Sequence, residues 1–214
     1  MKDKILNLYN KYDLGFFMSV ISLFIIATIH LILSFISFSW YMLCYAIFSY
    51  IFMLGRIIIY FLCKNNKYLK ILYFTSAIIL FLALTPLSIT VVKTLTDKEL
   101  YEFYFGWMIY GYALYAFIKL SIAIYGIIHK KGTRNERNKI YSSMSLISAT
   151  FTMFMLEFTM IRTFDKSEAL DTNIKYMEFS FQIIVILLTF LIAINFIIKH
   201  FLVLKIIKND EITT

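Results

Sequence analysis

Four ionisable side chains stand inside long apolar runs: His30 in FIIATIHLILSF, Arg56 in YIFMLGRIIIYF, Lys119 in YALYAFIKLSIAIYG and Glu157 in TMFMLEFTMI. Charge in such surroundings is costly, so each is a candidate for function by its position alone. Taking the nearer end of each run and a rise of about 1.5 Å per residue, Arg56 lies about 10 Å deep and Lys119 about 14 Å from the same end of the bundle. Glu157 lies about 8 Å and His30 about 12 Å from the opposite end. A carboxylate beside an imidazole forms a proton relay or a cation site, so His30 and Glu157 are a candidate pair if their helices touch. The plainer alternative for the pair is a structural hydrogen bond between helices. Arg56 and Lys119 have their own plain alternative, a long stem that snorkels its charge to the nearer rim. Gln182 and Asn195 add one polar group each to the last run, and both fit interhelical hydrogen bonding.

The surrounding elements are apolar enough to fix the class. In 214 residues there are 22 Phe, 16 Tyr, six Gly and one Pro, with 61% of residues hydrophobic and a mean hydropathy of +0.77. A hydrocarbon layer of roughly 30 Å needs about 20 apolar residues in a helix. Runs of that size cover about 14–38, 40–63, 69–92, 103–128, 140–161 and 176–204, which makes the chain a single transmembrane domain. Lipid offers backbone amides no partner, so each run is expected to be a helix. The fold class expected is an all-α membrane protein, a bundle of six transmembrane helices.

The first run is about 25 residues long by count and has no Ala-x-Ala end, so it reads as an uncleaved span and not as a signal peptide. Ahead of it, Ile5, Leu8, Tyr9 and Tyr12 recur at helical spacing. They suggest either a short amphipathic helix on the membrane surface or a frayed polar lead.

Charge placement sets the orientation. The N-terminus, the second and fourth gaps and the C-terminus together hold fourteen Lys and Arg against five Asp and Glu; the remaining gaps hold five against seven. The positive-inside rule then puts both termini in the cytoplasm of a multi-pass cell-membrane protein. The excess of cations is therefore a topology signal, with attraction to anionic lipid at the cytoplasmic face as a further possibility, and it does not point to nucleic acid.

The chain also aligns on itself. WYMLCYAIFSYI (40–51) matches WMIYGYALYAFI (107–118), and LSITVVKTL (87–95) matches LEFTMIRTF (156–164). The matches define two repeat units of about 40–95 and 107–164, each a helical hairpin, and an even number of spans per unit makes them parallel repeats.

YALYAFIKLSIAI (112–124) followed by SLISATFTMFMLEFTMIRTF (145–164) resembles a group of small six-span bacterial integral membrane proteins that are uncharacterised. The resemblance covers spans two to five and implies the six-span bundle; it carries no activity. At the position of Glu157 that group commonly has Gln, so this chain departs from it at its only acid at membrane depth.

Other features narrow the function without naming it. Ser19, Ala27, His30, Ser34 and Ser37 share one face of the first span, and Ser143, Thr150 and Glu157 share one face of the fifth, so both faces are expected to point inward. Tyr101, Tyr104, Met108, Tyr112, Tyr115 and Lys119 form a stripe on the fourth span, either a packed face or an aromatic wall for a flat or cationic ligand. Trp40 and Trp107 sit at outer span ends, as interfacial anchors do. Cys44 and Cys63 occupy opposite ends of one span and cannot bridge within it. There is no Gly-rich phosphate loop, GxSxG, Asp pair or His cluster, so neither an enzyme nor a metal or cofactor protein is expected. Two functions remain: small-solute, lipid or ion binding and transport through a polar interior lined by His30, Glu157, Lys119, Arg56 and Gln182, or a non-catalytic accessory or regulatory subunit. The partners expected are the bilayer and, in the second case, another membrane protein or a second copy.

Overall fold

The computed structural model describes the backbone at residues 2–63, 69–96, 106–129, 136–164 and 172–212, and the side chains at 17–62, 71–96, 109–128, 139–161 and 176–203. The described residues form six helices: α1 (Lys2–Ser37), α2 (Trp40–Cys63), α3 (Leu69–Thr96), α4 (Gly106–His129), α5 (Glu136–Phe164) and α6 (Thr172–Ile212). All six are long and apolar enough to cross a membrane. The lead before the first span is no separate helix, since α1 runs unbroken from Lys2. The side chains of Ile5, Leu8, Tyr9, Tyr12, Cys63, Tyr101, Tyr104, Trp107 and Met108 lie outside the described residues.

Contacts between helices define the layout. α2 packs on α3, α3 on α6, α6 on α5 and α5 back on α2, which closes a four-helix ring. α1 lies along α2 and α4 lies along α5, each outside that ring. α2 and α5 are accordingly the most buried spans and α4 the least. Aromatic rings fill the α2–α5 contact: Phe48 meets Phe151 at 3.9 Å between centroids, and Tyr41 meets Phe158 at 4.4 Å. Aliphatic side chains fill much of the α3–α6 side, where Leu80, Ala83 and Leu87 share the core with Val185 and Ala193.

Local chemistry explains the joints. Ser39 caps α2, its backbone carbonyl accepting from the amide of Leu43 and its Oγ lying 3.5 Å from the amide of Met42. Phe38, just before it, takes φ 51°, and the amide of Ser39 donates back to the carbonyl of Ser34 at 3.2 Å. That is the left-handed cap that glycine usually supplies. Within α3, Pro86 cannot donate to the carbonyl of Leu82. The Thr85 hydroxyl donates to that carbonyl instead, at 2.8 Å, so no acceptor is stranded in lipid. Gly55 sets the approach of α2 to α3, because a Cβ there would come within 2.7 Å of Ile79 Cγ2.

Candidate functional site

The groove bounded by α1, α2, α5 and α4 gathers polar side chains from all four helices. Its centre is the hydroxyl of Thr152 on α5, a fully buried side chain. The Lys119 ammonium, from α4, donates to Thr152 Oγ1 at 2.8 Å, and the Tyr45 hydroxyl, from α2, stands 3.4 Å from the same oxygen. Thr152 in turn donates to the carbonyl of Ser148 at 2.7 Å, so its lone pairs are what it offers the lysine. Lys119 is only partly buried as a residue, yet its ammonium reaches inward to the threonine and lies 5.4 Å over the ring of Tyr115.

His30 closes the groove from α1. Its ring stands edge-on to Tyr45 at 4.2 Å and to Tyr112 at 5.6 Å. Tyr45 and Tyr112 meet each other at 6.3 Å and 89°. His30 Nδ1 lies 2.7 Å from the carbonyl of Ile26, which makes that nitrogen the donor and leaves Nε2 the acceptor in the neutral ring.

Arg56 enters from α2. Its Nη1 donates to Ser19 Oγ of α1. The residue is 8% exposed, and its Nε, also buried, has no hydrogen-bond partner. The guanidinium is buried in the seam with α1, where the Ser19 hydroxyl is within reach. Neither Arg56 nor Lys119 has a carboxylate partner among the described residues, and each hydrogen bond they make goes to a neutral hydroxyl.

The two outer candidates are not brought together. Glu157 is only partly buried, and the charge that acts on it is Glu178 of α6, while the His30 ring is held by Ile26 and the two tyrosines. The inward face of α5 also differs from the one expected. Ser143, Thr150 and Glu157 lie on its partly exposed flank, and the hydroxyls it buries are Ser142, Ser148, Thr152 and Thr159. The face of α1 agrees better, with Ala27, His30 and Ser34 buried and Ser19 and Ser37 partly so.

Gln182 serves elsewhere. It is buried on α6, and its Nε2 donates to Thr94 Oγ1 of α3 at 2.5 Å. Thr94 gives its own proton to the carbonyl of Thr90, which fixes the amide orientation. Asn195 is exposed. Of the expected stripe on α4, Tyr112, Tyr115 and Lys119 fall within the described side chains and all three join the groove.

Tyr45, Thr152 and Glu178 were not singled out by sequence reasoning. Tyr45 had a signal, because it is one of four identical positions in the self-alignment and its match is Tyr112. Glu178 counts as a loop acid in the charge tally, whereas it is 1% exposed on α6. No group of three or more His, Cys, Asp or Glu positioned for a metal occurs among the described residues.

Neither a family model nor a curated protein nor a solved structure matches this chain. The groove itself thus carries the functional argument.

Proposed function

We propose that the protein is a multi-pass cell-membrane protein, both termini cytoplasmic, that binds and moves a small solute, lipid or ion through a site inside the bundle, with no catalytic step of its own. The observation that carries this reading is the convergence of Lys119 and Tyr45 on Thr152 Oγ1, with His30 closing the groove from a fourth helix. Polar groups that merely hold two helices together need one partner each; here three helices bring theirs to one oxygen, and an imidazole from a fourth packs against the tyrosines beside it. The repeat contributes to the site, since its matched tyrosines, Tyr45 and Tyr112, lie side by side in it. Two parallel hairpins around a shared interior is an arrangement used by membrane transporters.

Native mass spectrometry on gently purified protein tests the reading. A small molecule or lipid retained by the wild type and lost from Thr152→Val supports it. Thr152→Val behaving as the wild type, with nothing retained by either, overturns it.

One observation favours the second reading, an accessory subunit or a second copy packed against α4. That helix lies outside the ring, and Gly111 on its exposed side has no atom within 4 Å of where a Cβ would stand. Gly111→Leu therefore leaves the fold intact, and loss of a co-purifying membrane protein in that variant would mark α4 as the contact.

A further inference from the structure

We infer that Glu178 and Gln182 form a proton-binding site at one end of the four-helix ring, with the bound proton bridging the Glu178 carboxyl and Gln182 Oε1. The site lies outside the groove and goes beyond the solute-binding reading above. Its ligand is a proton, and neither Thr152 nor Lys119 takes part in it.

Placement is the first argument. Glu178 and Gln182 are one turn apart on α6, the spacing that sets two side chains one above the other on a helix. Both are 1% exposed. Val185, Thr189, Ala193 and Phe196 continue the same buried stripe, so this is the face that α6 turns to α3 and α5.

The supply of donors is the second. Gln182 Nε2 is committed to Thr94 Oγ1 at 2.5 Å, and Gln182 Oε1 is buried with no hydrogen-bond partner. That oxygen needs a donor. The hydroxyls around Thr94 are spent: Tyr41 of α2 donates to Thr94, Thr94 to the carbonyl of Thr90, and Thr90 to the carbonyl of Leu87. One turn back on the same face stands Glu178, and a carboxyl group donates only while it carries its proton. An ionised Glu178 would set carboxylate oxygens against an amide oxygen, acceptor against acceptor.

The bound proton also decides how α6 holds α3. When it leaves, the carboxylate needs a donor, and the amide supplies one by turning Nε2 from Thr94 toward Glu178. Oε1 then faces Thr94, whose hydroxyl must give up the Thr90 carbonyl to meet it. One proton thus reverses the direction of the hydrogen bond that joins α6 to α3. The titratable and charged groups of the neighbouring helices at this end are Glu157 of α5, Tyr41 and Cys44 of α2, and Lys93 of α3, whose ammonium lies 5.4 Å over the Trp40 ring. Glu157 is the other acid among them, so its variant is the control.

The test uses the full-length protein in a nonionic detergent and infrared difference spectroscopy, which separates the carbonyl band of a protonated carboxyl group from the bands of a carboxylate. At about pH 7, where a free glutamate is ionised, wild type minus Glu178→Gln should show the protonated band. Gln182→Leu should shift that band, and Glu157→Gln should leave it in place. Thermal unfolding is the second measure. The folded chain holds a proton that the unfolded chain has lost, so the wild-type midpoint should fall by several degrees from about pH 6 to about pH 9. Glu178→Gln keeps a donor for Oε1 and should fall less. If Gln182→Leu does not accumulate, the comparison of wild type with Glu178→Gln decides. Carboxylate bands alone at Glu178, or the same fall with pH in wild type and Glu178→Gln, overturn the inference. A protonated band that Gln182→Leu does not shift overturns the bridge.

Discussion

Tyr45 of α2 and Tyr112 of α4 meet edge to face, 6.3 Å between centroids and 89° between planes, although 67 residues of chain separate them by their numbers. The His30 imidazole stands against both rings. This trio joins α1, α2 and α4, and through the Tyr45 hydroxyl it reaches Thr152 on α5. Packing and hydrogen bonding are separable here. Tyr45→Phe keeps the rings and removes the hydroxyl, so it should lower stability by only about 1 kcal/mol. Tyr45→Ala opens a cavity at a fully buried ring and should cost about 3 to 5 kcal/mol. Denaturation in mild detergent measures both, and equal losses would show that the ring is not packed as described.

Lys119 should destabilise the empty protein. Removing a charge that no carboxylate among the described residues pairs with, by Lys119→Met, keeps a similar stem and should raise the thermal midpoint in lipid-depleted detergent. Thr152→Val should lower it, by about 1 to 3 kcal/mol, because the ammonium then loses its acceptor. A fall in both variants would mean that the lysine charge is already compensated within the chain.

Gly55 and Gly111 make an internal control. A Cβ at Gly55 would stand 2.7 Å from Ile79 Cγ2, whereas one at Gly111 meets nothing within 4 Å. Gly55→Val should therefore cost about 1 to 3 kcal/mol through the α2–α3 contact, and Gly111→Val should leave stability within about 0.5 kcal/mol. Restoring Gly55→Val by the second-site change Ile79→Ala would locate the effect at that contact; failure to restore would move it elsewhere.

Orientation is checked with reporter fusions after Lys67, Lys98, Arg134, Asp171 and Thr214. The charge bias predicts that Lys67, Arg134 and Thr214 are cytoplasmic and that Lys98 and Asp171 are external. An external Arg134 would reverse the topology.

The six helices were readable because an apolar run of membrane length has one stable backbone conformation in lipid. His30, Arg56 and Lys119 were readable because ionisable groups stand out against such a background. What escaped was direction. In a soluble helix the apolar face marks the core, but in lipid both faces are apolar, and the pattern stops separating inside from outside. Thr150 and Thr152 are alike in sequence, yet Thr152 points into the groove and Thr150 bonds back to Leu146 from the flank. Tyr45 was hidden among 16 tyrosines. Glu178 falls at the start of the last apolar run, so its burial depends on how α6 meets α3 and α5, which no local pattern encodes.

Each groove cation bonds a hydroxyl on a helix adjacent in the chain: Arg56 of α2 to Ser19 of α1, and Lys119 of α4 to Thr152 of α5. During synthesis, each charge can thus enter the bilayer as part of a helix pair, with one of its donors already engaged. The early and late pairs meet through α2 and α5, whose contact is built of aromatic rings, so joining them asks for no new partner for either cation.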